Sequence, residues 1–224
     1  VCDDTDPAVA GAISAIRKAR NAGQVCTSPT RFFVQEAIYQ PFLKAFVEAA
    51  QGVRVGNGLD AATQMGPLAN HRRIHALERM VADARSHGAR LLTGGERLGN
   101  SGYFFPVTVL ADVPDHACVM GEEPFGPLAV INPVASLDEA IEKANSLPFG
   151  LAAYAFTNDA ARANRLADEI EAGNFSINTL EASVAEVPFG GVKESGYGRE
   201  GGAEGLSHYT HAKTVSHQMH TTAI

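Results

Sequence analysis

The stretch Asn21-Ala22-Gly23-Gln24-Val25-Cys26-Thr27-Ser28-Pro29-Thr30-Arg31 joins the end of a predicted helix to the start of a predicted strand. Gly23 is typical of a helix end, and Cys26 follows it at the turn. A cysteine at such a junction lies near backbone N–H groups that favour its thiolate, the form that attacks carbonyl carbon. Cys26 is therefore a candidate nucleophile. The alternative is that Cys26 serves only as a small hydrophobic residue of the core.

The helix before this stretch has clear sequence signals at both ends. Asp6-Pro7 provides an N-cap followed by proline at the first helical position. Val9, Ile13 and Ile16 recur at helical spacing and mark the apolar face that we expect to be buried. Basic residues collect in the last turn, among them Arg20, where a cation stabilises the carbonyl end of the helix dipole.

Strands and helices alternate along the rest of the chain. After Phe32-Phe33-Val34, the pattern predicts strands over residues 90–93, 105–110, 128–134, 151–156 and 175–178. Helices are predicted over residues 38–50, 70–88, 136–145 and 159–173. Ser136-Leu137-Asp138-Glu139 forms a capping box at the start of one helix. This alternation predicts an α/β fold, with a mostly parallel sheet flanked by helices on both faces.

Composition excludes several functional classes. The 224 residues are 45% hydrophobic, which is typical of a folded globular protein. The net charge of −7, from 25 acidic and 18 basic residues, argues against nucleic-acid binding. No apolar run approaches the length of a membrane span, so no membrane partner is expected. Cys2, Cys26 and Cys118 are too few and too scattered for a disulfide framework, which favours a reducing, cytoplasmic setting.

His71 and His75 lie one helical turn apart, a spacing that occurs in zinc-binding helices. No glutamate stands beside the first histidine, and no third ligand is suggested by the sequence. Histidines on the solvated face of a helix are the better interpretation. We therefore predict no metal site.

Three segments are similar to motifs of the aldehyde dehydrogenase superfamily, and they occur in that family's order. The first contains Gly23-Gln24-Val25-Cys26. The second is Glu122-Glu123-Pro124-Phe125-Gly126-Pro127, and the third is Pro188-Phe189-Gly190-Gly191-Val192-Lys193 with the following Gly196-Tyr197-Gly198-Arg199-Glu200. The resemblance covers essentially the whole chain. It implies the catalytic half of an enzyme that uses NAD or NADP, with the nucleotide-binding half preceding the position of Val1.

The resemblance also implies a reaction. Cys26 would add to an aldehyde carbon and form a hemithioacetal, and a backbone N–H at the cysteine would stabilise its oxyanion. Hydride would then pass to the nicotinamide, and a base-activated water would hydrolyse the remaining thioester. In the family, the base is a glutamate and the second oxyanion donor an asparagine, and both lie upstream of this chain. Residues 1–224 alone are therefore expected to lack dehydrogenase turnover.

Three further residues take their roles from the same resemblance. Glu123 corresponds to the glutamate that binds the nicotinamide ribose, and Phe125 to a residue that packs near the nicotinamide ring. Phe189 corresponds to a wall of the substrate tunnel. Without the resemblance, the sequence pattern indicates instead that Glu123 lies in a solvated turn before a strand.

Two positions indicate the substrate class. Members of the family that oxidise apolar aldehydes often carry aromatic residues where this chain has Arg20 and Ser183. A guanidinium and a hydroxyl would bind a carboxylate, which is similar to the arrangement of succinate-semialdehyde dehydrogenases. Some of those enzymes have a second cysteine two positions after the nucleophile. Ser28 stands there, so we predict no cysteine redox switch. The alternative for Arg20 is a helix cap.

The end of the chain departs from the α/β pattern. Thr210, Thr214 and Val215 suit a strand with no obvious partner in the sequence. In the resembling family, a C-terminal strand pairs across a subunit boundary. We therefore predict a catalytic domain over residues 1–205, an oligomerisation arm over residues 206–224, and a homo-oligomer.

Three alternatives to a semialdehyde dehydrogenase stay open at the level of sequence. The chain could be a non-catalytic fragment that self-associates, or part of an aldehyde dehydrogenase for uncharged aldehydes. A thiol protease or acyltransferase would need a histidine paired with Cys26, and no histidine near the motif is suited to that role.

Overall fold

The structure is a computed structural model that describes residues 1–219. Within these residues, six α-helices run over Pro7–Ala19 (α1), Glu36–Gln51 (α2), His71–Ser86 (α3), Cys118–Gly121 (α4), Leu137–Asn145 (α5) and Ala160–Glu169 (α6). Eight strands run over Arg31–Gln35 (β1), Arg90–Thr93 (β2), Thr108–Ala111 (β3), Leu128–Val134 (β4), Phe149–Gly150 (β5), Ala152–Ala155 (β6), Asn174–Ile177 (β7) and Val192–Lys193 (β8). Short 3₁₀ turns span Arg20–Gly23 and Glu204–Tyr209.

The largest sheet has four strands in the order β1-β4-β3-β2. The β1–β4 and β4–β3 pairs are parallel, and β2 joins the edge antiparallel. The central strand β4 is buried along almost its whole length, as expected for a strand covered on both faces. The predicted α/β class with a mostly parallel sheet is confirmed.

The remaining strands form two smaller sheets rather than extending the first one. Strands β6 and β7 pair in parallel, and the short β5 and β8 pair antiparallel. The first two residues link the large sheet to the β6–β7 pair. The amino group of Val1 donates to the Phe33 carbonyl oxygen at 2.7 Å, and the Cys2 N–H donates to the Phe156 carbonyl oxygen at 2.9 Å. An apolar crevice lies between β1 and β6, and residues of both strands line it.

Helix α1 buries a different face from the one predicted. Val9, Ile13 and Ile16 are 54%, 45% and 63% exposed, whereas small residues and Lys18 face inward. The physical reason is the close approach of α1 to α2. A Cβ added at Gly11 would lie 2.7 Å from the Phe42 carbonyl oxygen, so no side chain fits where the two helices are closest.

Helix starts follow the predicted capping chemistry. The Asp6 carboxylate accepts from the N–H of Ala8 at 2.9 Å, and α1 begins at Pro7. At α5, the Glu139 N–H donates to Ser136 Oγ at 3.1 Å, while Glu139 Oε2 accepts from the Ala135 N–H at 2.8 Å. The capping box is confirmed, with its return bond made one residue earlier than in the ideal motif.

Two predicted strands differ in the structure. The strand predicted over residues 105–110 starts only at Thr108, because Pro106 has no N–H to donate to a neighbouring strand. Residues 210–219 form no strand and are exposed. A strand predicted to pair with another subunit has no partner in a single chain, so the oligomerisation arm stays a prediction. Residues 220–224 of that arm lie outside the described part.

Candidate active site

The nucleophile segment is built on an unusual backbone turn after α1. Asn21, Ala22 and Gly23 have φ angles of 50°, 51° and 68°, so three consecutive residues adopt the left-handed conformation. Non-glycine residues rarely occupy this region, and they persist there only where surrounding contacts hold them. The turn reverses the chain and places Cys26 at the surface beyond the helix end.

Polar side chains hold this turn closed. The Asn21 side-chain amide donates to the Gln24 carbonyl oxygen at 2.9 Å, and the Gln24 amide donates back to the Asn21 carbonyl oxygen at 3.2 Å. Gln24 Oε1 also accepts from the Ala69 N–H at 2.8 Å. These three bonds give Gln24 a structural role, because they fix the turn and tie it to the loop before α3.

Gly23 joins the first sequence motif to the second. A Cβ added at this position would overlap with the carbonyl group of Gly126, and the φ angle of 68° is itself unfavourable for other residues. The backbone of the nucleophile segment therefore packs directly against the Glu122–Pro127 segment. Two motifs that are about a hundred residues apart in sequence form one side of the site.

This contact predicts a large effect of a single methyl group. Gly23→Ala should lower the free energy of unfolding by at least about 2 kcal/mol, because both backbone strain and overlap with Gly126 oppose it. Thermal unfolding followed by circular dichroism measures the change. Gly58→Ala is the matched control, since its added Cβ meets no atom within 4 Å. Equal melting temperatures for the two variants would contradict the close Gly23–Gly126 contact.

Cys26 and Glu123 line the same cavity. This cavity has a volume of about 840 Å³ and continues into the apolar crevice between β1 and β6. Cys26 is exposed, so the interpretation of this cysteine as a buried hydrophobic residue is wrong. Glu123 is also exposed, and within residues 1–219 its carboxylate makes no hydrogen bond or ion pair. An accessible thiol and an unpaired carboxylate therefore face one space.

The residues around Glu123 are fixed by basic side chains of α3. Arg79 forms an ion pair with Glu122 at 2.6 Å, and the hydrogen bond from Arg79 lowers the pKa of the Glu122 carboxyl. Arg73 donates to the Pro124 carbonyl oxygen at 2.9 Å. Glu122 is thus engaged in structure, whereas Glu123 stays free. Phe125 is 37% exposed and has a φ angle of 43°, and it does not line the cavity.

Tyr154 supports the chain directly after Cys26. Its hydroxyl donates to the Thr27 carbonyl oxygen at 2.7 Å, and the ring lines the cavity. Burial raises the pKa of the Tyr154 hydroxyl, so the proton needed for this bond is retained at neutral pH. The structure thereby connects strand β6 to the nucleophile segment.

Lys18 lies beneath the same segment and is only 1% exposed. Its ammonium group donates to Ser28 Oγ at 3.2 Å and to Thr30 Oγ1 at 3.4 Å. Burial lowers the pKa of Lys18 to about 7, and the negative charge of Glu123 partly opposes this shift. A buried lysine with hydroxyl partners therefore changes its charge near neutral pH.

The low pKa of Lys18 predicts how stability depends on pH. Between about pH 7 and pH 10.5, the unfolded chain binds more protons at Lys18 than the folded chain does. Stability therefore rises with pH across this window, by up to about 1.4 kcal/mol per pH unit from this group, and is lowest below pH 7. Lys18→Met should remove this contribution and stabilise the fold most at pH 6. Chemical unfolding of both proteins at pH 6, 8 and 10 measures the difference. Parallel pH profiles would contradict a buried ammonium.

The other predicted substrate residues lie apart from the cavity lining. Arg20 and Ser183 are exposed, Phe189 is half-buried, and none of the three lines the cavity. Phe189 exchanges two backbone hydrogen bonds with Glu200, of 2.6 and 2.7 Å, which hold the third motif in a tight loop. Cys26 and Glu123 therefore line one cavity, whereas Arg20, Ser183 and Phe189 lie outside its lining.

A link between Arg17 and Glu181 was not apparent from the sequence. Arg17 Nη1 and Nη2 lie 3.0 and 3.5 Å from the two carboxylate oxygens of Glu181. This pair ties the loop that carries Ser183 to α1, which ends one residue before Arg20. The Arg20 guanidinium itself makes no hydrogen bond or ion pair within residues 1–219. Arg20 is also the C-cap residue of α1, and its backbone N–H donates to the Arg17 carbonyl oxygen, so the alternative of a helix cap stays open.

The histidine pair shows no sign of a metal centre. The His71 and His75 rings lie 6.1 Å apart in an edge-to-face arrangement, and the His75 ring lies 3.7 Å from Glu78. Among residues 1–219, no three histidine, cysteine or acidic side chains are arranged to hold a metal ion. In the same part of the chain, no helix has both the length and the apolarity that crossing a membrane requires.

The whole set of motifs has a counterpart in known proteins. The pattern of the aldehyde dehydrogenase family matches residues 1–215. The chain belongs to this family. The predicted resemblance is therefore confirmed, and it extends through the sheet, the nucleophile segment and the third motif.

Several known proteins are similar to this chain over nearly all of its length. 4-(Hydroxymethyl)benzenesulfonate dehydrogenase from Comamonas testosteroni is 46% identical over 213 residues, which are 95% of this chain and 44% of that protein. Succinate-semialdehyde dehydrogenase from Paenarthrobacter nicotinovorans is 45% identical over 210 residues, which are 92% of this chain and 46% of that protein. The crystal structure of succinate-semialdehyde dehydrogenase from Burkholderia pseudomallei matches with a TM-score of 0.90 and 41% identity. The match covers 93% of this chain and 43% of that structure's chain. The chain spans less than half the length of these relatives.

Proposed function

We propose that the chain is the catalytic part of an NAD(P)-dependent aldehyde dehydrogenase with Cys26 as its nucleophile. The observation that carries this proposal is the shared cavity of the Cys26 thiol and the unpaired Glu123 carboxylate. Membership of the aldehyde dehydrogenase family supports the same reaction class. No histidine of the described chain lines this cavity, so no observation favours a thiol protease or acyltransferase.

In the proposed reaction, the Cys26 thiolate adds to the aldehyde carbon, and the carbonyl π electrons move to oxygen. The backbone N–H of Cys26 donates to this developing oxyanion, since it is preset by the turn that Asn21 and Gln24 close. A nicotinamide cofactor held at Glu123 would supply the two-electron oxidant, since it would accept hydride from the adduct and leave a thioester on Cys26. Water, deprotonated by a base that the family supplies upstream of the cysteine, then releases the acid and regenerates the thiol.

Glu123 is proposed to bind the ribose of the nicotinamide nucleotide. A carboxylate without protein partners can accept two hydroxyl hydrogen bonds at once, and Glu123 is such a group within residues 1–219. Phe125 is proposed to pack near the nicotinamide ring, and its exposed ring is available for that contact. The choice between NAD and NADP depends on the residue that meets the 2′ position, which the family places in its other half.

The proposed substrate is an aldehyde with an anionic group at its far end, such as succinate semialdehyde. Two of the similar proteins are named for substrates that carry a carboxylate or a sulfonate away from the oxidised carbon. Arg20 and Ser183 are the proposed partners of this anion, and Phe189 is the proposed tunnel wall. The Arg20 guanidinium has no protein partner in residues 1–219, so its donors are available.

The experiment for this proposal measures NAD(P)H formation with succinate semialdehyde and with butanal. The intact protein that contains this chain should reduce NAD or NADP, with higher kcat/KM for the charged aldehyde. Residues 1–224 alone should show no turnover, because the base and the nucleotide domain of the family are lacking. No oxidation of either aldehyde by the intact protein would contradict the proposed function.

We also propose that the protein is a homo-oligomer that works in a reducing compartment, the cytoplasm. The exposed apolar residues of α1 and of the tail support association, since such surface favours contact with another chain. All three cysteines are free in the structure, which fits a reducing setting. Light scattering of the purified protein tests the assembly, and a monomer at micromolar concentration would contradict it.

A further inference from the structure

The Lys18 side chain occupies a position that is costly for a charged group. It is 1% exposed, and within residues 1–219 no carboxylate lies within ion-pair distance of it. Removing an ammonium from water without such a partner opposes folding, and an apolar side chain of similar size would be easier to accommodate. A costly buried charge beside a reactive cysteine indicates a functional requirement.

The contacts of Lys18 show which part of the site would need it. Its Nζ donates to Ser28 Oγ and Thr30 Oγ1, at 3.2 and 3.4 Å. These residues follow Cys26 by two and four positions and lead directly into β1. Lys18 itself lies on α1, three residues before the left-handed turn begins at Asn21, so its contacts connect the segment to that helix.

Tyr154 contacts the same segment from a different element of the fold. Its hydroxyl binds the Thr27 carbonyl oxygen at 2.7 Å, and it belongs to β6 rather than to α1. The chain between Cys26 and Thr30 is therefore held by a side chain from each flank. Without Lys18, the hydroxyls of Ser28 and Thr30 would lose their donor, and this part of the segment would be held from one flank only.

We propose that Lys18 is a positioning residue for the nucleophile segment: by binding Ser28 and Thr30 it keeps the thiol and the backbone N–H of Cys26 in reactive alignment. This inference rests on the proposed function, since it gives the segment a catalytic purpose. Lys18 touches neither substrate nor cofactor and acts through the segment. Its loss should therefore affect charged and uncharged aldehydes alike, unlike the loss of Arg20.

The test compares Lys18→Met with a double variant, Ser28→Ala with Thr30→Val, that removes both acceptors and keeps the lysine. The second-order rate of Cys26 alkylation by iodoacetamide and kcat/KM for succinate semialdehyde and butanal are measured in the intact protein. Lys18→Met should slow alkylation and lower kcat about 10- to 100-fold, with little change in KM and equal losses on both aldehydes. Lys44→Met is the matched control, because that side chain is 77% exposed on α2, and it should match the wild type.

Coupling between the lysine and its acceptors separates positioning from general stability. Adding Lys18→Met to the double variant should cause less than a twofold further loss, because both changes break the same contacts. If Lys18→Met does not fold, the double variant alone decides, and alkylation at the wild-type rate would overturn the proposal. Unchanged alkylation in folded Lys18→Met would overturn it as well. Alkylation needs neither aldehyde nor cofactor, so this result can be read even if the intact protein oxidises no aldehyde.

Discussion

Replacing Cys26 with alanine should lower kcat for aldehyde oxidation by a factor on the order of 10⁴ or more, because the covalent route requires this thiol. Labelling of the active thiol by iodoacetamide should disappear at the same time. The fold should be unaffected, since Cys26 is exposed and its side chain makes no hydrogen bond within residues 1–219. Steady-state turnover of the intact protein and peptide mapping after alkylation measure the two effects.

Cys118→Ala is the matched control for this variant. The Cys118 thiol is partly buried, and burial together with the neighbouring Asp83 carboxylate raises its pKa to about 11. A thiol with this pKa is almost fully protonated at neutral pH and reacts slowly with alkylating reagents. Cys118→Ala should therefore keep both turnover and labelling. Equal labelling of Cys118 and Cys26 in the wild type would contradict the assignment of the nucleophile.

Replacing Arg20 with leucine should change substrate choice. If Arg20 binds the distal carboxylate of a semialdehyde, its loss leaves that charge unpaired in the closed site, at a cost of roughly 2–5 kcal/mol. The kcat/KM for succinate semialdehyde should fall by about one to four powers of ten, and that for butanal should be spared. The ratio of the two values, measured in the intact protein, is the relevant quantity.

Two further variants show whether charge or structure is responsible. Arg20→Lys keeps the positive charge and should retain more of the preference than Arg20→Leu does. Ser183→Ala should reduce the preference in the same direction but more weakly, because it removes a neutral donor. Equal losses on both aldehydes in Arg20→Leu would instead assign Arg20 a role at the end of α1.

Much of the fold follows from local signals in the sequence. The N-caps at Asp6 and Ser136, together with the strand at 128–134, were predictable because each depends on a few adjacent residues. The outward orientation of Val9 and Ile13 was not predictable from local signals. It depends on how closely α2 approaches α1, which is a tertiary property that helical spacing alone does not contain.

Some residues of the candidate site could likewise be predicted from the sequence, and others could not. Cys26 and Glu123 were predictable from motifs, and the structure brings them to one cavity. Lys18 is one of the basic residues in the last turn of α1, where the sequence indicates only a favourable contact with the helix dipole, whereas the structure buries it. The Tyr154 contact joins residues 127 positions apart, and no local pattern reports it.

The most direct test of the central claim is to trap the covalent intermediate. The intact protein is mixed with succinate semialdehyde and oxidised cofactor, quenched in acid within the first turnover, digested, and examined by mass spectrometry. We predict a succinyl thioester on the peptide that contains Cys26, and its absence in Cys26→Ala. Turnover of the aldehyde with the acyl group on another residue, or with no acylated peptide under conditions that preserve thioesters, would contradict the assignment of Cys26 as the nucleophile.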